Sequence, residues 1–245
     1  MEETLVAKYS PFFAEARKRL IFTLIVFAVA TITGFTFYEP IIKLLISLLD
    51  LKGVNVVFTS PFQFINLSIA CGVTTGVIVV LPLFLAQLLS FLRPALKQKE
   101  FGMITGSLPV STILFVIGFM FGALIMKWQI EIFLDKSVSL GIGNVLDISR
   151  LLTTVLLTSV IMGVGFQFPI VLFLLMRLDL ISLQQLASKR PWVYLGSFVF
   201  AILLPADSIL ADILLALPLI VLFELTIAVS WITGRGKARV APTIA

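Results

Sequence analysis

Four polar side chains sit where apolar ones are expected. Glu224 is the one charge in an otherwise apolar run near the C-terminus, and Gln87 and Gln167 lie inside long apolar segments. Ionisable or amide groups in a membrane span must find partners, and they mark pathways, docking sites or helix-helix glue. Asp207 closes another apolar run. Two further acids, Glu15 and Glu100, stand among cations at the edges of apolar runs. They read either as local charge balance or as carboxylates that bind a guanidinium. The residues alone leave both readings open. The same holds for Glu224 and the two glutamines, where helix packing and substrate contact are both compatible with the spacing.

Chemistry of the usual enzymatic kinds is poorly supplied. The chain has no histidine and one cysteine, Cys71. That removes the commonest general base, the commonest metal ligand and any intrachain disulfide. There is no Gly-rich phosphate loop with a following lysine and no Gly-x-Ser-x-Gly. The reading is of a protein that is not an enzyme and needs no cofactor.

The elements that position these residues are membrane spans. Of 245 residues, 60% are hydrophobic and 13% charged, with a mean hydropathy of +1.14. Soluble domains average about 25% charged. One integral membrane domain is expected across 1–245, and the net charge of +5 reflects orientation, not nucleic-acid binding. The N-terminus lacks the pattern of a cleaved signal peptide.

A span needs about 20 apolar residues, so charges mark the breaks. Six spans are predicted, at about 20–38, 62–91, 103–126, 151–176, 191–206 and 213–232. Pro82 is expected to bend the second. Gly163-Val-Gly-Phe-Gln-Phe-Pro169 predicts a polar, irregular patch in the fourth. Gly118-x-x-x-Gly122 in the third fits a close-packing face. The fifth span is short and forms a tight hairpin with the sixth. Thirteen of the 18 Lys and Arg residues fall in the N-terminus, the 93–100 loop, the 177–190 loop and the C-terminus. By the positive-inside rule these are cytoplasmic and both termini are inside.

Several strings in order resemble the TatC family, the multi-spanning receptor and core subunit of the twin-arginine protein translocase. They are Glu15-Ala-Arg-Lys-Arg-Leu20, Ser60-Pro-Phe62, Pro82-Leu-Phe-Leu-Ala-Gln87, Phe91-Leu-Arg-Pro-Ala-Leu96 with Lys99-Glu100, Gly165-Phe-Gln-Phe-Pro169, Lys189-Arg-Pro191, Leu204-Pro-Ala-Asp207, and Leu217-Pro218 with Phe223-Glu224. The resemblance covers residues 12–231.

The resemblance implies an all-α membrane protein with six transmembrane helices. Both ends face the cytoplasm of a plasma membrane, and the helices form a concave, glove-like receptor with short fifth and sixth members. It implies recognition of the twin-arginine signal peptides of folded precursors by Glu15 and Glu100, with Arg17 and Phe91 in the same site. It implies work with TatA- and TatB-type single-span subunits in a larger complex containing further copies of the chain. That complex is embedded in lipid and driven by the proton motive force. Gln167 stands where many relatives carry glutamate, Asp207 matches an acid at the outer end of the fifth helix, and Glu224 lies where partner helices are expected. The chain departs from the family pattern at Phe12, Phe13, Ala16 and Phe101. A rival class, a proton-coupled secondary transporter or channel, would use Glu224, Gln87 and Gln167 as its pathway.

Overall fold

The computed structural model describes residues 2–49, 55–92, 106–140, 145–177, 180–205 and 208–232. Its elements are α1 (Glu2–Thr36), α2 (Tyr38–Leu49), β1 (Asn55–Val57), α3 (Gln63–Leu92), α4 (Ser107–Ser139), β2 (Val145–Asp147), α5 (Ile148–Gly165), α6 (Phe168–Arg177), α7 (Leu183–Ser188), α8 (Arg190–Ile202) and α9 (Ile209–Ile232). Five stretches are long and apolar enough to cross a membrane: Ala14–Thr36, Gln63–Leu88, Leu108–Ser137, Ile148–Met176 and Ile209–Ile232. Apolar side chains such as Leu24, Ile32, Val116 and Leu225 are exposed on these helices. Every backbone group of such a helix is satisfied internally, which is what lipid demands. Among the described residues the secondary structure is all helical apart from two short strands.

The helices divide into two compact units. The first comprises residues 1–97 and 137–156. Its largest packing surface is between α1 and α3, and it needs small residues. A Cβ on Gly72 would lie 2.7 Å from the Thr31 carbonyl oxygen, so the backbones approach as only glycine permits. β1 pairs in parallel with β2, Val57 opposite Asp147. α2 packs against α3. The sequence reading left residues 39–61 without a helix. The helix is there because Leu44, Leu45, Leu48 and Leu49 recur at helical spacing, and Pro40 falls in the first turn, where its missing N–H is tolerated.

The second unit comprises residues 98–136 and 157–245. One core gathers Met162, Phe166, Ala201, Leu204, Leu215 and Leu219. Another gathers Leu172, Leu186, Phe223 and Ile227. α8 and α9 pack as a hairpin. α8 has 13 residues, about 20 Å at ~1.5 Å per residue. Gly118 and Gly122 do form a packing face. A Cβ on Gly122 would lie 2.8 Å from the Ser159 Cα, and one on Gly118 would lie 2.8 Å from the Met162 carbonyl.

Two boundaries differ from the sequence reading. Lys127 marked the end of the third span, yet α4 continues to Ser139. A charge marks the edge of hydrocarbon and does not stop a helix. The fourth segment is two helices, with a turn at Phe166 and Gln167. Pro169 has no N–H to continue the ladder. Gln167 N–H instead donates to the Val164 carbonyl at 3.0 Å, and Gln167 O accepts from Ile170 N at 3.0 Å. This is the irregularity that the Gly-Phe-Gln-Phe-Pro string predicts.

Candidate functional site

Glu15 lies on α1 at the start of the first apolar stretch, and its side chain is 53% exposed. It is one turn from Arg19, which pairs with it at i, i+4. Arg19 makes a second bond with its other terminal nitrogen: Nη1 donates to the Gln87 backbone carbonyl at 2.7 Å, across the α1–α3 interface. Thr23 Oγ1, one turn further along α1, donates to Gln87 Oε1 at 3.0 Å. A guanidinium presents donors in a planar fork, so one arginine can hold a carbonyl and a carboxylate together. The result is an exposed carboxylate whose position is referred to α3. Arg17 is exposed on the same helix.

Gln167, in the turn between α5 and α6, is buried. Its Oε1 accepts from Ser111 Oγ of α4. Its Nε2 donates to the Ser111 carbonyl at 3.1 Å and to the Gly163 carbonyl at 3.4 Å. One hydroxyl faces the amide oxygen and two carbonyls face the amide nitrogen. The amide is therefore engaged on both sides, and it joins α4 to the interrupted helix.

Glu224 is paired. Arg190 Nε lies 3.0 Å from Glu224 Oε1, Arg190 Nη2 donates to Oε2 at 3.0 Å, and the Tyr194 hydroxyl donates to Oε1. Tyr194 also meets Phe223 edge-on, with ring centroids 6.2 Å apart. Arg190 opens α8 and Glu224 lies two-thirds of the way along α9, so the pair ties the start of α8 to α9 away from the turn that joins them. The side chains are 45% and 36% exposed, at the edge of a groove of about 480 Å³ that also involves Leu183, Ala187, Ile227 and Trp231.

A fourth cluster sits at the other end of α3. Asp147 caps α5, its Oδ1 accepting from Arg150 N at 3.1 Å, as N-cap acids do. Its Oδ2 accepts from Thr59 Oγ1 and Gln63 Nε2, each at 2.6 Å. Ser149 Oγ donates to the Gln63 carbonyl at 2.8 Å. The Thr59 hydroxyl is the largest influence and lowers the Asp147 carboxyl; burial comes next and opposes it, and the Arg150 N–H, the Gln63 amide and the Ser149 N–H add to the lowering, so the carboxyl lies below its ordinary range.

The structure thus describes Glu15, Arg17, Gln87, Gln167 and Glu224. Glu100 and Asp207 lie outside the described residues, and of Phe91 only its backbone in the last turn of α3 is described. Sequence reasoning missed the partners: Arg19 and Thr23 for Gln87, Ser111 for Gln167, Arg190 and Tyr194 for Glu224. It also missed Asp147 and the Thr59 and Gln63 side chains that donate to it. Among the described residues no group of three or more His, Cys, Asp or Glu is placed to hold a metal.

The family model for the Sec-independent protein translocase protein (TatC) matches residues 11–218. The chain belongs to the TatC family. The TatCy protein of Bacillus subtilis is 28% identical over 218 residues, 89% of this chain and 86% of the relative. TatC of Aquifex aeolicus is 28% identical over 241 residues, 92% of this chain and 95% of the relative. A crystal structure of the twin-arginine translocase receptor TatC in DDM superposes with a TM-score of 0.78 at 27% identity, covering 89% of this chain and 98% of that one. This TatC chain is a multi-pass membrane protein and a protein-translocase component, a transport subunit.

Proposed function

We propose that this TatC chain is the receptor subunit that binds the twin-arginine signal peptides of folded precursors at its cytoplasmic face. Glu15 and Glu100 each take one arginine of the pair, and Arg17 and Phe91 flank them. The chain crosses the plasma membrane six times, α8 being the short fifth span, with both termini in the cytoplasm and the helices in a concave, glove-like arrangement. The Lys and Arg distribution and the family membership support that topology. TatA- and TatB-type single-span subunits and further copies of the chain complete the translocase, and the proton motive force drives it. Gln167, Asp207 and Glu224 serve the intramembrane and partner-facing parts of the task.

The observation that carries the reading is the Glu15 carboxylate, exposed and held to Gln87 through Arg19. A carboxylate is the natural receiver of a guanidinium, because two parallel charge-assisted bonds form that an ammonium cannot copy. A receptor gains when such a group is oriented before the ligand arrives. The test is direct. The purified chain in detergent is titrated with a twin-arginine signal peptide and with its twin-lysine counterpart. The arginine peptide binds and the lysine peptide binds at least tenfold more weakly. Equal affinity for the two contradicts the proposal.

A further inference from the structure

α2 has three faces. Leu45 and Leu49 are buried, 7% and 6% exposed, where α2 packs on α3. Glu39, Lys43 and Ser47, spaced four apart, form an exposed polar face. Pro40, Leu44 and Leu48, also spaced four apart, form an exposed face that is apolar. Leu44 is 59% and Leu48 54% exposed. Residues four apart share a helix face, so the exposed surface is divided lengthwise into a polar and an apolar half.

That division has a setting. α1 contains a membrane span that ends at Thr36, and α2 starts at Tyr38. Phe37 N–H donates to the Thr33 carbonyl at 2.9 Å, so α1 closes its last turn before the chain enters α2. Ile32, Phe35 and Phe37 are exposed at the end of α1. The apolar face of α2 begins where this lipid-facing surface stops. A helix that leaves a span at the bilayer boundary, with apolar residues on one exposed side and charges on the other, matches the physics of a helix lying in the headgroup region. Lys43 borders the apolar face with a stem long enough to keep its ammonium in water or at a lipid phosphate.

We propose that α2 is an interfacial membrane helix, with Leu44 and Leu48 seated in the acyl boundary of the leaflet where α1 ends and Glu39, Lys43 and Ser47 facing water. Its occupant is the bilayer itself. The inference is independent of signal-peptide recognition.

The test places a nitroxide at one position at a time, using Leu44→Cys, Leu48→Cys, Lys43→Cys, Ser47→Cys and, as a lipid reference within α1, Ile25→Cys. The full chain is reconstituted in vesicles of phosphatidylglycerol and phosphatidylethanolamine. Native Cys71 is fully buried, and the chain without an added cysteine serves as the labelling control. Collision with oxygen, which partitions into lipid, is compared with collision with a water-soluble nickel chelate. The oxygen-to-nickel ratio at 44 and 48 shifts toward that at 25, and the ratio at 43 and 47 stays low. Three results overturn the proposal: nickel access at 44 and 48 equal to that at 43 and 47, loss of both colliders at 44 and 48 because protein covers them, or a lipid-like ratio at all four positions.

Discussion

Arg19 donates to the backbone carbonyl of Gln87 at 2.7 Å, joining residues 68 positions apart. With its other terminal nitrogen it holds Glu15. Gln87 was legible as a polar residue needing a partner, and that partner also holds the Glu15 carboxylate. In the proposed receptor site Arg19 is a positioning residue. Arg19→Ala is expected to weaken binding of a twin-arginine peptide by about 1 kcal/mol, the upper scale of an exposed pair. Arg19→Lys recovers part of the loss, because one ammonium cannot span both partners as the fork does. Peptide titration measures both. Tighter binding by Arg19→Ala would instead identify Arg19 as a competitor for the Glu15 carboxylate.

The Arg190–Glu224 pair should stabilise the α8–α9 hairpin modestly, since both side chains are partly exposed and solvent screens them. A double-mutant cycle with Arg190→Ala and Glu224→Gln, read from detergent melts, should give a coupling of about 0.5–1 kcal/mol. Tyr194→Phe removes one further bond to Glu224, worth about 1 kcal/mol. Coupling indistinguishable from zero would mean that the pair does not hold α8 to α9.

Asp147 makes an acid-side prediction. Its folded-state pKa lies below its unfolded value, so the charged form is favoured by folding. The stabilisation is fully present above the unfolded value of about 3.9 and is lost as pH falls through the lower folded value. The melting-temperature gap between the wild type and Asp147→Asn should therefore be flat from about pH 8 to pH 5 and narrow only in stronger acid, below that ~3.9 reference. A gap that closes between neutral pH and pH 5 contradicts the assignment.

Gln167 is engaged through three hydrogen bonds. Gln167→Leu should cost about 2 kcal/mol, taking ~0.6 kcal/mol for each bond within a membrane protein. Gln167→Glu puts a second oxygen against the Ser111 and Gly163 carbonyls, so it also destabilises at neutral pH and recovers when that carboxyl carries a proton. Denaturation in detergent at two pH values measures this. A Gln167→Glu chain as stable as the wild type at neutral pH would show that the amide nitrogen's bonds contribute little.

The parts of this protein that the sequence made legible are those governed by one-dimensional rules. Charge spacing found the apolar segments, because each must match a bilayer thickness. The Gly-Phe-Gln-Phe-Pro string announced the break before α6, because proline's missing N–H acts locally. The glycines of α4 announced a packing face. What stayed hidden depends on pairing between helices. Nothing in the residues near Asp147 points to Thr59, 88 positions away, and Glu224 gives no local hint that it meets Arg190. α2 was overlooked for another reason. Its apolar residues occupy two faces, one toward α3 and one exposed, so the simple amphipathic pattern is blurred. Glu15 and Glu100 carried their meaning only through family resemblance, since exposed acids among cations are ordinary by composition.

The central claim is that these two carboxylates read the arginine pair. Its most direct measurement is the affinity of a twin-arginine signal peptide for the purified wild type, Glu15→Ala, Glu100→Ala and the double variant, each chain first shown to melt cooperatively. Each single change should weaken binding by about 1.5–3 kcal/mol, the scale of a hydrogen bond to a charged group, and the double variant should no longer distinguish arginine from lysine peptides. Unchanged affinity in both single variants, or arginine preference surviving in the double variant, would contradict the account.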